Sequence, residues 1–209
     1  MEDRWITHKV GRTGPALWDV ALQADFAVEL GGDDETLELP WAAPEGGPRY
    51  YDLKRQPEML AHIEEAVCFG ELRDFLIAVN SPASVLQTAK CDAWGSREMS
   101  PEEEIFGAEW KLGSYVDLLF SSKDARHSFA AHEDFIKQLT ALLRQAPDIP
   151  ASAEFLLRRC FYHENESDGF YVTFYTFGYG SDEVKARQQW GIALRLARNA
   201  IAQCSSRLM

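Results

Sequence analysis

The segments EFLLRRCFYH (154–163), ENESDG (164–169) and FYVTFYTFGY (170–179) follow one another without a break. The outer two are dominated by apolar and aromatic residues and the six between them are acids and turn formers, so the whole reads as a β-hairpin. A hairpin joins antiparallel neighbours, which sets the expected sheet type. In the second strand both alternating sets are apolar, Phe170, Val172 and Phe174 on one side and Tyr171, Tyr175 and Phe177 on the other. That pattern predicts a central strand covered on both faces.

Downstream, Gly178-Tyr179-Gly180-Ser181 lies where strand meets helix, a place that favours phosphate. The third glycine of a dinucleotide fingerprint and the lysine of a P-loop are both missing, and Asp182 and Glu183 occupy the first turn. The stretch therefore reads as a tight turn before a capped helix. That helix is predicted from Ser181 or Asp182 to Cys204, with Val184, Trp190, Ala193, Leu194, Ala197 and Ile201 on its apolar stripe. Upstream, a helix over 130–145 buries Phe135, Ile136, Leu139, Leu142 and Leu143, and Pro147 and Pro150 close it.

Further back the pattern predicts a strand over 111–120 and a polar connector over 95–107. Ser100-Pro101-Glu102-Glu103-Glu104 gives that connector a helix start of one or two turns. Strands over 73–80 and 85–94 are expected to form another hairpin across Ser81-Pro82-Ala83-Ser84. Pro57 opens a helix with Met59, Leu60, Ile63, Ala66 and Val67 on one face and Gly70 as its stop. A short strand is read at 50–54, a surface loop around a short extended piece at 36–48, and a half-buried strand at 18–30 that ends in turn residues 31–35. The fold class is therefore α+β: a largely antiparallel sheet built from hairpins with about three main helices packed on it. Residues 1–209 read as a single domain, with the repeated order helix, strand, turn, strand allowing two pseudo-repeated halves that divide near 121–130.

The chain has 209 residues with 33 acids and 21 bases, a net charge of −12. Residues 1–110 hold 22 of the acids against 9 bases, and residues 111–209 hold 11 against 12. A one-signed field of this kind steers a basic partner and argues against direct nucleic-acid binding, which draws its affinity from Lys and Arg on phosphates. The longest uncharged apolar run, 169–181, is 13 residues long, short of the ~20 that a membrane helix needs. The N-terminal Met1-Glu2-Asp3-Arg4-Trp5 lacks the features of a secretory signal, so a cytoplasmic location is expected. Cys68, Cys91, Cys160 and Cys204 are widely spaced and form no zinc or disulfide pattern.

Asp33, Asp34 and Glu35, and Glu102, Glu103 and Glu104, are runs of three like charges, and Trp41 and Trp94 stand near them in sequence. Aromatic rings beside charge are the composition of interface hot spots, so these eight residues are the expected partner-binding set. The expected function is a small acidic protein-binding module, of inhibitor or immunity-protein character, that neutralises a basic protein partner such as a toxin or nuclease. The alternative is an enzyme or small-ligand-binding protein, with an aromatic pocket between sheet and helices lined by Tyr171, Tyr175 and Tyr179 and edged by His132, Glu133 and His163. A structural component of a larger assembly is a third reading. His127 and His132 are five apart and do not share a helix face, and there is no nucleophile elbow or Cys/His pairing. No catalytic residue, metal or cofactor is predicted.

Overall fold

The structure, a computed structural model, describes residues 22–31, 36–40, 50–146, 148–164 and 166–208. In chain order its elements are β1 (Gln23–Glu29), β2 (Leu37–Leu39), α1 (Glu64–Cys68), α2 (Gly70–Val79), β3 (Leu86–Ser96), β4 (Trp110–Phe120), α3 (Lys123–Arg126), α4 (Phe129–Leu143), β5 (Ala151–Tyr162), β6 (Ser167–Gly180) and α5 (Glu183–Leu208). Short 3-10 turns at Pro57–His62 and Glu103–Phe106 complete the set.

The strands form one mixed, mostly antiparallel sheet in the order β1-β5-β6-β4-β3, with β2 also beside β5. β5 and β6 are the expected hairpin, paired from Ala151 opposite Gly178 to Tyr162 opposite Ser167, and β6 is central. Hairpins do not account for the whole sheet. β1 and β2 run parallel to β5 and follow one line along its outer edge. Glu29 meets Arg158 across 129 positions of sequence, a pairing for which no local turn signal exists.

The predicted hairpin of 73–80 with 85–94 is replaced by a helix and a strand. Leu72, Phe75, Leu76 and Val79 are buried and Ile77 is 54% exposed, which is a helical spacing and not an alternating one. Gly70 begins α2 where it was expected to end a helix. The chain becomes extended at Ile63 and at Phe69, so the helix read from Pro57 is broken into the 3-10 turn, α1 and α2. The break at Phe69 sets its ring edge-on to Trp190, 5.6 Å away. Residues 50–54 form a turn on Asp52, whose backbone oxygen accepts from Arg55 and Gln56, and are not a strand. Asn80 closes α2 onto β3, donating from Nδ2 to the Leu76 carbonyl and accepting from the N–H of Thr88.

The three helices of seven residues or more, α2, α4 and α5, cover one face of the sheet. Phe75, Phe135, Ile136, Leu139, Trp190, Leu194 and Ile201 meet Val116, Leu118, Phe155, Leu157, Val172 and Phe174 in the main core. Ser128 caps α4 by accepting from the N–H of Ala131. Asp182 caps α5 by accepting from the N–H of Lys185, and that bond holds its carboxyl below the usual range. Val184, expected on the apolar stripe of this helix, is 78% exposed. Gly178 and Gly180 belong to β6 and not to a turn. A methyl group on Gly178 would run into the backbone N of Trp190 and the backbone O of Ala186, so glycine here lets α5 rest directly on the strand.

Candidate functional site

Residues that pair across antiparallel strands share a face, so the strand pairing lays out the face opposite α2, α4 and α5. One row across it reads Asp92 on β3, Tyr115 on β4, Tyr175 on β6, Glu154 on β5 and Asp25 on β1. The next row towards the C-terminus of β6 reads Trp94, Gly113, Phe177 and Ser152. On the other side of the tyrosine row come Asp117, Thr173 and Leu156, then Tyr171, Arg158 and Glu29.

The aromatic rings in the middle touch one another. Tyr115 lies 5.9 Å from Tyr175, Trp94 lies 6.5 Å from Tyr115, and Trp94 stands edge-on to Phe177 at 5.9 Å. A methyl on Gly113 would sit 2.5 Å from the Phe177 ring and 3.3 Å from Trp94, so the missing side chain is what lets these two rings close over the strand. All four rings are half-buried, while Asp92 and Glu154, on either side of the two tyrosines, are exposed.

Beside the tyrosine row runs a polar chain that crosses four strands. Arg158 donates from Nε and Nη2 to Glu29, and from Nη1 to Thr173 at 3.3 Å; Thr173 in turn donates to Asp117 Oδ1 at 2.7 Å. Asp117 is only 4% exposed. Burial lifts its carboxyl to about pKa 6, although the Thr173 hydroxyl, Lys90 and Arg158 pull the other way. Burial, together with the charges of Asp117 and Asp92, raises the Tyr115 hydroxyl well above its usual range.

Both ends of this face are capped. At one end Leu39 of β2, with Leu37 and Tyr50, packs on Leu119, Cys160, Tyr162 and Tyr171. At the other, the Glu103–Phe106 turn folds over Tyr179: Phe106 stacks on its ring at 4.1 Å, and its hydroxyl donates to Glu103 Oε1 at 2.9 Å. Glu103 also binds Lys111 Nζ at 2.7 Å and accepts from the N–H of Ser100. Burial raises its pKa less than these three hydrogen bonds lower it, so the carboxyl is held below the usual range. A groove of about 490 Å³ opens beside the face along β3 and is lined in part by Tyr51, His62, Glu64, Glu65, Cys91 and Tyr115. Burial and the nearby Glu65, Asp92 and Asp117 push the Cys91 thiol up to about 12, which leaves it inert as a nucleophile.

Of the expected partner-binding residues, Asp33, Asp34, Glu35 and Trp41 lie outside the described residues. Trp94 belongs to the aromatic cluster. Glu102 and Glu104 are exposed in the connector between β3 and β4, whereas Glu103 is committed to Lys111, Ser100 and Tyr179. The described flanks of the first acidic run, Glu29 and Leu37, pair with Arg158 and Cys160, in the rows of Tyr171 and Gly169. Tyr179, the residue that Glu103 holds, is eight positions from Tyr171 along β6, ~26 Å at strand rise.

The expected pocket between sheet and helices is not assembled. Tyr171, Tyr175 and Tyr179 share a face, but it is the one turned away from the helices. His132 is 1% exposed on the helix side, packed against the Phe120 and Phe170 rings, with Nδ1 bonded to the Ser128 carbonyl. It is therefore a core residue and not part of a solvated helix start. Glu133 pairs with Lys137 along α4, and His163 pairs with Glu38 at the far end of β5. Asp92, Tyr115, Asp117 and Glu154 escaped the sequence reading. One signal was visible: Asp117 is a lone charge in the apolar run Tyr115 to Phe120.

Among the described residues no group of three or more His, Cys, Asp or Glu could hold a metal ion, and no helix is long and apolar enough to cross a membrane. No family model, curated protein or solved structure matches the chain.

Proposed function

We propose that the chain is a protein-binding module whose sheet face opposite α2, α4 and α5 takes cationic side chains of a basic protein partner. The observation that carries this reading is the row Asp92, Tyr115, Tyr175, Glu154, in which two contacting tyrosine rings are flanked on both sides by carboxylates. A guanidinium or ammonium group over those rings gains cation–π attraction, and a carboxylate at either end supplies a charge-assisted hydrogen bond. Glu64 and Glu65 line the adjoining groove, together with one cation, Lys90. Trp94 and Phe177 add the rigid apolar area that anchors interfaces, with Glu102 and Glu104 as outlying charges that speed encounter. Capping a basic toxin or nuclease in this way would be inhibition by coverage, with no chemistry required of the module.

The test uses an arginine-rich peptide as a defined probe, titrated calorimetrically into the full chain. Tyr115→Ala, and the double reversal Asp92→Lys with Glu154→Lys, are each expected to weaken binding ~10- to 100-fold. The charge-matched reversal Asp134→Lys with Glu183→Lys, at exposed positions on the helical side, is expected to change it less than about threefold. Equal losses in the two double variants would mean that the peptide reads net charge alone and would overturn the assignment.

A further inference from the structure

The helical side of the molecule carries a groove of opposite character. About 310 Å³ of space lies between α2 and α5, lined in part by Glu71, Arg73, Arg187, Gly191, Arg195 and Arg198. Four guanidinium groups in one groove are out of keeping with a chain of net charge −12.

Arg187, Gly191, Arg195 and Arg198 lie on α5 at intervals of four, four and three, so they form one stripe. A glycine inside a 26-residue helix costs ~1 kcal/mol against alanine, and here close approach explains it. A methyl group on Gly191 would sit 3.0 Å from Cγ of Glu71. The bare backbone lets Glu71 lie low, where Arg187 grips it through Nε at 3.1 Å and Nη2 at 2.8 Å. That two-pronged bond is the chief reason its carboxyl is held below the usual range, and Arg195 adds to it through space.

With Glu71 neutralised in this way, Asp74 is the other acid of the lining, 3.7 Å from Arg73 and exposed like it. Among the described residues neither Arg195 nor Arg198 has a carboxylate within ion-pair distance. The groove floor is apolar, made by Phe75 and Leu194, which strengthens any charge pairing above it. Planar guanidinium groups set side by side match the oxygens of a phosphoryl group, which they bind two prongs at a time.

We infer that the groove between α2 and α5 is an anion site that takes a phosphoryl-bearing small molecule, on the opposite side of the sheet from the proposed partner face. The two assignments share no residue, so either can fail alone. The probe is inorganic pyrophosphate, titrated into the full chain with the arginine Nε–Hε and backbone amide signals followed by NMR. Sodium chloride of equal ionic strength is the control, and succinate is the arm that separates phosphoryl from carboxylate recognition.

Saturable shifts at Arg195, Arg198 and the first turn of α2 are expected with pyrophosphate. Arg195→Gln with Arg198→Gln should weaken binding at least ~10-fold, with a melting profile like that of the parent. Glu71→Gln removes a negative charge from the wall and should tighten binding, a change in the opposite direction that mere loss of structure cannot imitate. Shifts that fail to saturate, that sodium chloride reproduces, that succinate matches in strength, or that survive the double arginine variant would overturn the inference.

Discussion

Gly178→Ala is expected to cost ~3 kcal/mol or more in denaturant unfolding, the largest loss anticipated for a one-carbon change in this chain. In an ordinary extended strand the same substitution is mild or even favourable, because it restricts the unfolded chain. At position 178 the new methyl would meet the backbone N of Trp190 and the backbone O of Ala186. Neither atom can rotate aside, so α5 as a whole must lift from β6. Trp190 is fully buried, and its indole N–H donates to Ser114 on β4 at 2.9 Å. Lifting the helix therefore breaks that bond and opens the core at its largest side chain. The glycine at 191 offers a contrast, since alanine there meets only the side chain of Glu71 and should be tolerated far better. An unfolding free energy for Gly178→Ala within ~1 kcal/mol of the parent would show that the helix does not rest on this strand.

Asp117→Asn should stabilise the chain at neutral pH by on the order of 2 to 3 kcal/mol. The carboxyl has its folded-state pKa raised to about 6 from the ordinary 3.8, so the folded form holds the proton more tightly than the unfolded form. Its contribution to stability is complete below pH ~4 and is lost as the pH rises through about 6. Asparagine keeps an oxygen to accept from Thr173 and has no charge to desolvate, so its advantage should appear above pH ~6 and vanish near pH ~4. His132 acts in the opposite sense: burial lowers its pKa, and its contribution fails on the acid side. Urea titrations of parent and variant at pH 4 and pH 7.5 isolate the Asp117 effect. Equal stability differences at both pH values would contradict the assignment of a buried, proton-holding carboxyl.

A carboxylate kept at the expense of stability beside an aromatic cluster fits the proposed face. An incoming cation would favour its ionised form, so binding of the arginine-rich peptide should strengthen as the pH rises through about 6. Asp117→Asn should flatten that pH dependence.

Period was enough to locate α4, α5 and the β5–β6 hairpin, because Phe135, Ile136 and Leu139, or Trp190, Ala193 and Leu194, recur at helical spacing and face one core. It failed at α2, where Ile77, Ala78 and Val79 imitate a strand while burial follows Leu72, Phe75, Leu76 and Val79. It also could not reach the parallel pairing of β1 with β5, since no property of residues 23–29 names a partner 129 positions away. The candidate site was legible only in pieces. Trp94 and Tyr175 were visible as aromatics, but their grouping with Asp92, Tyr115 and Glu154 is created by the alignment of four strands. Glu103 misled for the same reason. Its neighbours in sequence are acids, and its partners, Lys111 and Tyr179, arrive only when the connector folds over the sheet.

The most direct test of the partner face is amide shift mapping with the arginine-rich peptide on the full chain. Binding at the proposed face predicts that the largest shifts fall on residues 92–94, 113–117, 152–156 and 173–177, and that they shrink as salt is raised. Shifts concentrated on α5, on the Glu102–Glu104 turn alone, or on residues 33–35 would contradict it.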